Sequence, residues 1–361
     1  MNDMKQFLQA GKELGRVAIY DATNTTRERR AWIVKEVLPL LDKKSQVIFV
    51  ESICDDDSMV ERNIKRVKIT MPDYKGVDGD TILSDFKQRI QHYVDVYEPL
   101  DTIKDKELSW IKIRDAGQNI HLNRISGYLA GRITKYLMNL HLVDRPIYLS
   151  RHGRSKYNEL GKIGGDSPLG EEGKRYSVLL GKFCDEVLLK QNPRTRLWTS
   201  SLRRTKETAQ HIPHRIMKDG WVTMRHRVWK SLDELFAGTF DGMTYEEIEK
   251  KAPGEFARRK ADKLNYRYPR GESYLDVITR LEPVVLELER QEDPVLIVAH
   301  QGIHRMLYAY FTGMSRDQAP FVSIPLNNVI KLQPGAYTCE EERIVLIPPH
   351  KDKCVSDPPS H

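Results

Sequence analysis

Cysteine is scarce in this chain. Four thiols, Cys54, Cys184, Cys339 and Cys354, are scattered over 361 residues. They are too few for a disulfide framework, and no CxxC or Cys/His spacing suggests zinc. A reducing, cytoplasmic setting is the simplest expectation. Long apolar runs are missing as well: none approaches the ~20 residues that a membrane-spanning helix needs. The first residues, MNDMKQFLQAGKELG, carry no apolar core of the signal-sequence kind. No internal repeat is visible, and the one biased stretch is the end, HKDKCVSDPPSH, expected to be disordered. Nor does one sign of charge dominate. The formal charge is +7, but Lys and Arg alternate with Asp and Glu along most of the chain. That balance suits a small anionic ligand at least as well as nucleic acid. Basic stretches such as Arg27-Glu28-Arg29-Arg30 read as solvated helix faces.

What is present is a soluble, globular composition, 40% hydrophobic and 30% charged, in a chain long enough for two cores. The first half alternates strand and helix. RVAIY (16–20) reads as a short strand, and DATNTTRERR after it offers Asp21, Thr23, Asn24, Thr25 and Thr26 as helix caps. A helix to about Leu41 follows. QVIFVE (46–51) reads as a strand buried on both faces. Helices are expected over 59–67, 81–93 and 123–142, with a strand over 109–113. The chain restarts near Asp144-Arg145-Pro146 with strands over 147–150, 197–199 and 295–299. Helices are expected over 171–189, 202–211, 245–250, 273–291 and 303–312. Both halves argue for α/β domains with parallel sheets, divided around residue 145.

The chemistry lies in the second half. Strand 147–150 runs into Arg151-His152-Gly153-Arg154, and strand 295–299 into His300-Gln301-Gly302. Ligands bind at the carboxyl ends of strands in open α/β sheets, so two histidines 148 positions apart can share one cleft. A third strand end leads into SSLRRTKETA, where Arg203 and Arg204 open a helix whose N-terminus also favours an anion. Arginine forks bind phosphate oxygens, and a neutral imidazole can attack phosphorus to form phosphohistidine. Gly153 is expected to let the backbone approach the phosphoryl group. The leaving oxygen needs a proton, for which SLDELFAGTFDGMTYEEI supplies Asp233, Glu234 and Asp241.

These residues resemble the histidine phosphatase (phosphoglycerate mutase-like) superfamily. Nearly the whole chain resembles the bifunctional 6-phosphofructo-2-kinase/fructose-2,6-bisphosphatase family. The resemblance is carried by DATNTTRERR, FVESICDD, RHGxSxxN, GKIGGDSPL, WTSSLRRT, MTYEEI, YRYPRGESY, RLEPVVLELERQE and AHQGIHR, in that order. It implies a truncated P-loop-kinase-like sheet domain over 1–144, a phosphoglycerate mutase-like domain over 145–345 and a tail over 346–361. It further implies His152 as nucleophile, Glu234 as acid and then base, and His300 on the transferring phosphoryl group. Arg151, Asn158, Arg204 and Gln301 match residues around that phosphate. Tyr245, Arg259, Lys263, Tyr274 and Arg305 match residues that grip the sugar and a 6-phosphate, and Gly164 contributes backbone. Kinase-half matches are Asp21, Thr23, Arg29, Cys54, Asn63, Lys68, Arg89 and Tyr93.

The expected activity is hydrolysis of fructose 2,6-bisphosphate to fructose 6-phosphate and phosphate, with no cofactor or metal. The family's kinase half uses ATP and Mg. Its phosphate-cradling G-x-x-x-x-G-K-[ST] loop is absent here, so transfer from ATP is expected to fail and the chain to be a truncated form. The expected partners are the two sugar phosphates, without nucleic acid or membrane; a homodimer is the assembly left open. Arg154 and Arg270 depart from the family pattern, and Arg154 is expected to face solvent. The rival readings are a mutase or broader sugar-phosphate phosphatase, and a non-catalytic regulatory subunit.

Overall fold

The computed structural model describes residues 2–9, 17–41, 45–64, 78–139, 145–335 and 338–348. Two compact units divide it, Met1–Leu142 and Val143–His361. Among the described residues no helix is long and apolar enough to cross a membrane.

The first unit contains a three-stranded sheet, β1 (Ile48–Ile53), β2 (Ser109–Arg114) and β3 (Asn119–Asn123). Strands β1 and β2 run parallel, and β2 and β3 antiparallel. The helix after the Thr-rich segment is Arg27–Val37, capped by Thr26, whose hydroxyl accepts from Arg29 N–H at 3.2 Å. The core gathers Ile33, Val37, Ile82, Leu100, Trp110 and Ile111. Three expectations fail here. Residues 17–20 are not a strand: no ladder holds them, and Val17 and Ile19 are 53% and 88% exposed. Strand β1 is not buried on both faces. It pairs only with β2 among the described residues, Val50 is exposed, and the buried residue is Glu51. The expected helix from 123 begins only at Tyr128 and ends at Leu137, because Asn119–Asn123 pairs with β2.

The second unit is built on six strands in the order β6-β5-β7-β4-β8-β9. These are β4 (Ile147–Arg151), β5 (Arg196–Thr199), β6 (His226–Val228), β7 (Val295–Ala299), β8 (Asn328–Pro334) and β9 (Cys339–Val345). The first four in that order are parallel, and β8 and β9 add antiparallel pairings. Helices cover both faces, which explains why β4 and β7 read as unbroken apolar runs. On one face Ile147, Leu149, Val295, Ile297 and Ala299 meet Val277, Leu281, Val284 and Leu288 of helix Tyr274–Arg290. On the other, Tyr148, Leu296 and Val298 meet Tyr176 and Leu180 of helix Glu171–Phe183. A smaller cluster, Ala237, Phe240, Ile248, Tyr266 and Tyr268, stabilises the segments that connect β6 to β7.

Parallel pairing aligns the ends of β4 and β7, Arg151 opposite Ala299, and His152 N–H continues the ladder to the Ala299 carbonyl at 3.0 Å. His152 and His300 therefore leave the sheet side by side. Gly153 also answers a packing constraint that the sequence did not show. A Cβ there would lie 2.6 Å from the Gly173 carbonyl oxygen, and one on Gly173 would lie 2.3 Å from that of Arg154. The two glycines let helix Glu171–Phe183 cross directly behind the histidine loop.

Gly173→Ala is accordingly expected to destabilise the second unit by about 1–3 kcal/mol, overriding the gain of up to ~1 kcal/mol that alanine brings to a helix. Gly254→Ala, where nothing lies within 4 Å of the added methyl, is expected to be neutral or mildly stabilising. Urea unfolding of both variants checks this; equal midpoints would mean the crossing is looser than described.

Candidate active site

One pocket at the carboxyl ends of β4, β5 and β7 is lined by twelve of the thirteen residues that the resemblance assigned to the phosphatase site. They are Arg151, His152, Asn158, Gly164, Arg204, Glu234, Tyr245, Arg259, Lys263, Tyr274, Gln301 and Arg305. The thirteenth, His300, is fully buried behind His152, with ring centroids 5.1 Å apart.

His152 is 4% exposed, and its Nδ1 lies 2.8 Å from the Gly153 carbonyl oxygen. A carbonyl can only accept, so Nδ1 carries the proton and Nε2 of the neutral ring carries the lone pair. Burial, then the charges of Arg204 and Arg151, hold this imidazole well below its ordinary pKa. His300 is depressed in the same way by burial, Arg204 and His152. Its Nε2 meets Ser200 Oγ at 2.7 Å, while its buried Nδ1 has no hydrogen-bond partner among the described residues.

The pocket arginines take main-chain carbonyls as anchors. Arg151 Nη1 donates to Ile324 O at 2.7 Å, Arg204 Nη1 to Gly165 O at 2.6 Å, and Arg305 Nε to Val322 O at 2.8 Å. A carbonyl orients a guanidinium without neutralising it. The neighbours Arg203 and Arg154 instead pair with carboxylates, Glu207 at 2.6 Å and Glu172 at 3.7 Å. Arg154 is partly exposed and does not line the pocket. Asn158 uses its Oδ1 in a capping box with Ser155, which leaves its amide donors for a ligand.

Elsewhere in the pocket Arg259 stands between tyrosines, donating from Nε to Tyr268 Oη at 2.7 Å and from Nη2 to Tyr245 Oη at 2.8 Å. Its guanidinium carbon sits 4.6 Å from the Tyr245 ring centroid, a cation–π contact. Lys263 is nearly buried, and desolvation followed by Arg305 and Arg259 pulls its ammonium down to about 7.

The three candidate acids separate. Asp233 accepts from Ser201 N–H and O–H at 2.7 and 2.6 Å, and Asp241 accepts from Gly165 N–H at 2.8 Å. Glu234 alone of the three lines the pocket. Its Oε1 accepts from Leu235 N–H at 2.9 Å, and its Oε2 faces Gly302 N–H at 3.4 Å. A Cβ on Gly302 would come within 2.7 Å of Oε1, so this glycine makes room for the carboxylate. Gly164 has φ +65° and packs against Asp241, where a Cβ would overlap Oδ1 at 1.8 Å. The sequence reading missed Ser155, Tyr157, Lys162, Tyr266 and Tyr268 on the pocket wall. The tyrosines of YRYPRGESY were the visible signal.

The first-unit candidates make contacts with residues outside their own set. Arg29 donates to Tyr20 Oη at 2.8 Å and stacks on Trp32, Cys54 Sγ faces Asp56 O, Arg89 stacks on Phe86, and Tyr93 meets His92 edge-on. Asp21 and Thr23 are exposed, Asn63 ends helix Asp57–Asn63, and Lys68 lies outside the described residues. The sequence holds no phosphate-cradling loop, and no group of three or more His, Cys, Asp or Glu among the described residues could hold a metal.

Comparison with known proteins matches residues 1–144 to 6-phosphofructo-2-kinase and residues 147–345 to the histidine phosphatase superfamily, branch 1. The 6-phosphofructo-2-kinase/fructose-2,6-bisphosphatase of Gallus gallus is 45% identical over 96% of this chain and 70% of its own length. That of Caenorhabditis elegans is 43% identical over 94% of this chain and 71% of its own. The solved alpha-ribazole phosphatase of Shigella flexneri aligns at TM-score 0.47 with 20% identity, over 55% of this chain and 95% of its own. On the sequence matches, which span both units, the chain belongs to the 6-phosphofructo-2-kinase/fructose-2,6-bisphosphatase family.

Proposed function

We propose that the second unit hydrolyses fructose 2,6-bisphosphate to fructose 6-phosphate and inorganic phosphate through a phosphohistidine on His152. The observation that carries this reading is the hydrogen bond from Nδ1 to the Gly153 carbonyl, which leaves Nε2 as the nucleophile in a pocket lined by cations.

In the first step the Nε2 lone pair attacks the 2-phosphoryl phosphorus and the P–O bond to carbon 2 breaks. Glu234, as the carboxylic acid, protonates the departing oxygen. Arg151, Arg204 and the amide donors of Asn158 and Gln301 hold the phosphoryl oxygens, with His300 packed behind His152 beside the same group. In the second step Glu234, now a carboxylate, takes a proton from water as the water attacks phosphorus. The P–N bond breaks and its electron pair returns to the imidazole. Arg259, Lys263 and Arg305 bind the 6-phosphate, while Tyr245 and Tyr274 border the sugar, so the remote phosphate anchors the reacting one. The arginines supply the positive charge that this chemistry needs. The reading takes in a cytoplasmic location and a homodimer. Because residues 1–361 hold no G-x-x-x-x-G-K-[ST] loop, it claims the hydrolytic activity alone.

The test uses purified chain and fructose 2,6-bisphosphate labelled on the 2-phosphate, with rapid quench. Acid-labile, alkali-stable label on protein and release of phosphate are expected, with His152→Ala losing both by on the order of a thousandfold or more. Well-folded protein that neither takes label nor releases phosphate would sink the reading.

Lys263 adds a pH signature. Its ammonium is charged below about pH 7 in the empty pocket and loses its proton above that, so an anion binds with proton uptake at alkaline pH. KM for the bisphosphate is expected to rise about tenfold between about pH 6 and about pH 8.5. Lys263→Arg, which stays charged, should flatten the rise; an unchanged profile in that variant would remove Lys263 from the anion site.

A further inference from the structure

Glu234 lies just beyond a single short turn, Lys230–Leu232, so no ladder or helix fixes its backbone. Arg280, on helix Tyr274–Arg290, supplies that constraint through Nη1 and Nη2. Nη1 donates to Ser231 O at 2.6 Å, and Nη2 to Asp233 O at 2.7 Å and Glu234 O at 3.3 Å. Nε and Nη2 also grip Glu272, at 2.8 and 3.1 Å. Glu272 completes the clamp from the other side: its Oε2 accepts from Phe236 N–H at 3.0 Å, and its N–H donates to Phe236 O at 2.9 Å. The acid is thus bracketed by restrained groups at 231, 233, 234 and 236. Neither Arg280 nor Glu272 lines the pocket.

The same segment reaches the phosphate side. Asp233 gives its carboxylate to Ser201, two residues before the helix that brings Arg204. A lysine could not reproduce the Arg280 contacts, because a single ammonium cannot present a planar fork to three carbonyls and a carboxylate at once.

We propose that Arg280, held by Glu272, is a positioning residue that sets the Glu234 carboxyl against the oxygen that leaves. This inference rests on the reading of Glu234 as the general acid. A clamp of this kind acts on proton delivery and leaves the binding of the phosphates largely alone.

The experiment compares Arg280→Lys, Glu272→Gln and Glu234→Gln in the full chain, each checked for folding by thermal unfolding. Two substrates are used: fructose 2,6-bisphosphate, whose alkoxide needs a proton, and p-nitrophenyl phosphate, whose phenolate departs without one. For Arg280→Lys, kcat on the bisphosphate is expected to fall roughly ten- to a hundredfold, with KM within about threefold of the parent. The presteady-state burst of nitrophenolate should fall by less than about threefold. Glu272→Gln, which keeps the guanidinium and its carbonyl contacts, should show the same pattern more weakly. Equal losses on the two substrates, a loss confined to KM, or unchanged kinetics in folded Arg280→Lys would each overturn the inference. A folded Glu234→Gln variant with undiminished turnover would instead overturn the reading beneath it, and the two failures are separate.

Discussion

One proton decides what this site can do, the one on Nδ1 of His152. The Gly153 carbonyl can only accept, so the ring is pinned in the tautomer that bares Nε2. Burial and two guanidinium groups then keep the ring neutral. That state depends in turn on the wider architecture. The carbonyl is placed by a loop pressed against helix Glu171–Phe183 through the paired glycines, Gly153 and Gly173. The ring is placed by the ladder from β4 to β7. Packing on one face of the sheet and pairing within it therefore converge on a single ionisation state.

Charge is managed with similar economy of means. Six cationic side chains line one pocket, an arrangement whose self-repulsion grows as water is excluded. Anchoring Arg151, Arg204 and Arg305 on main-chain carbonyls orients each guanidinium, and the carboxylates of Glu234, Asp166, Asp241 and Asp233 act on Arg204 as well. Lys263 yields through its pKa, to desolvation first and then to Arg305 and Arg259; a guanidinium is more weakly hydrated and more basic than an ammonium and resists the same pressure better.

Much of this was legible in the sequence because the informative residues sit at strand ends. The runs over 147–150 and 295–299 are apolar on both faces, and His152 and His300 follow them directly, so the shared cleft could be read from pattern alone. The grouping of Tyr245, Arg259, Lys263 and Tyr274 came from family resemblance, since they lie on irregular segments and helices whose approach no periodicity encodes. Arg280 and Glu272 carried no local signal: a charged pair eight positions apart, beginning just ahead of helix Tyr274–Arg290, looks like solvated surface until the carbonyls of 231–234 come to meet it. Strand β3 was hidden in the same way, NIHLN showing little apolar character while lying against β2. The segment 17–20 has strand composition and, among the described residues, no strand beside it, which is a reminder that a ladder is a property of two segments.

The pairing of β4 with β7 also bears on how the protein is made. Residues 147–151 and 295–299 are joined in register across nearly 150 positions of chain, and closing such a separation is entropically costly. During synthesis the stretch Arg151-His152-Gly153 leaves the ribosome long before Ala299 can receive its amide. Until β7 exists the imidazole has neither its ladder bond nor the His300 ring against it. In the nascent chain His152 thus stands outside the arrangement described above until the sheet is complete.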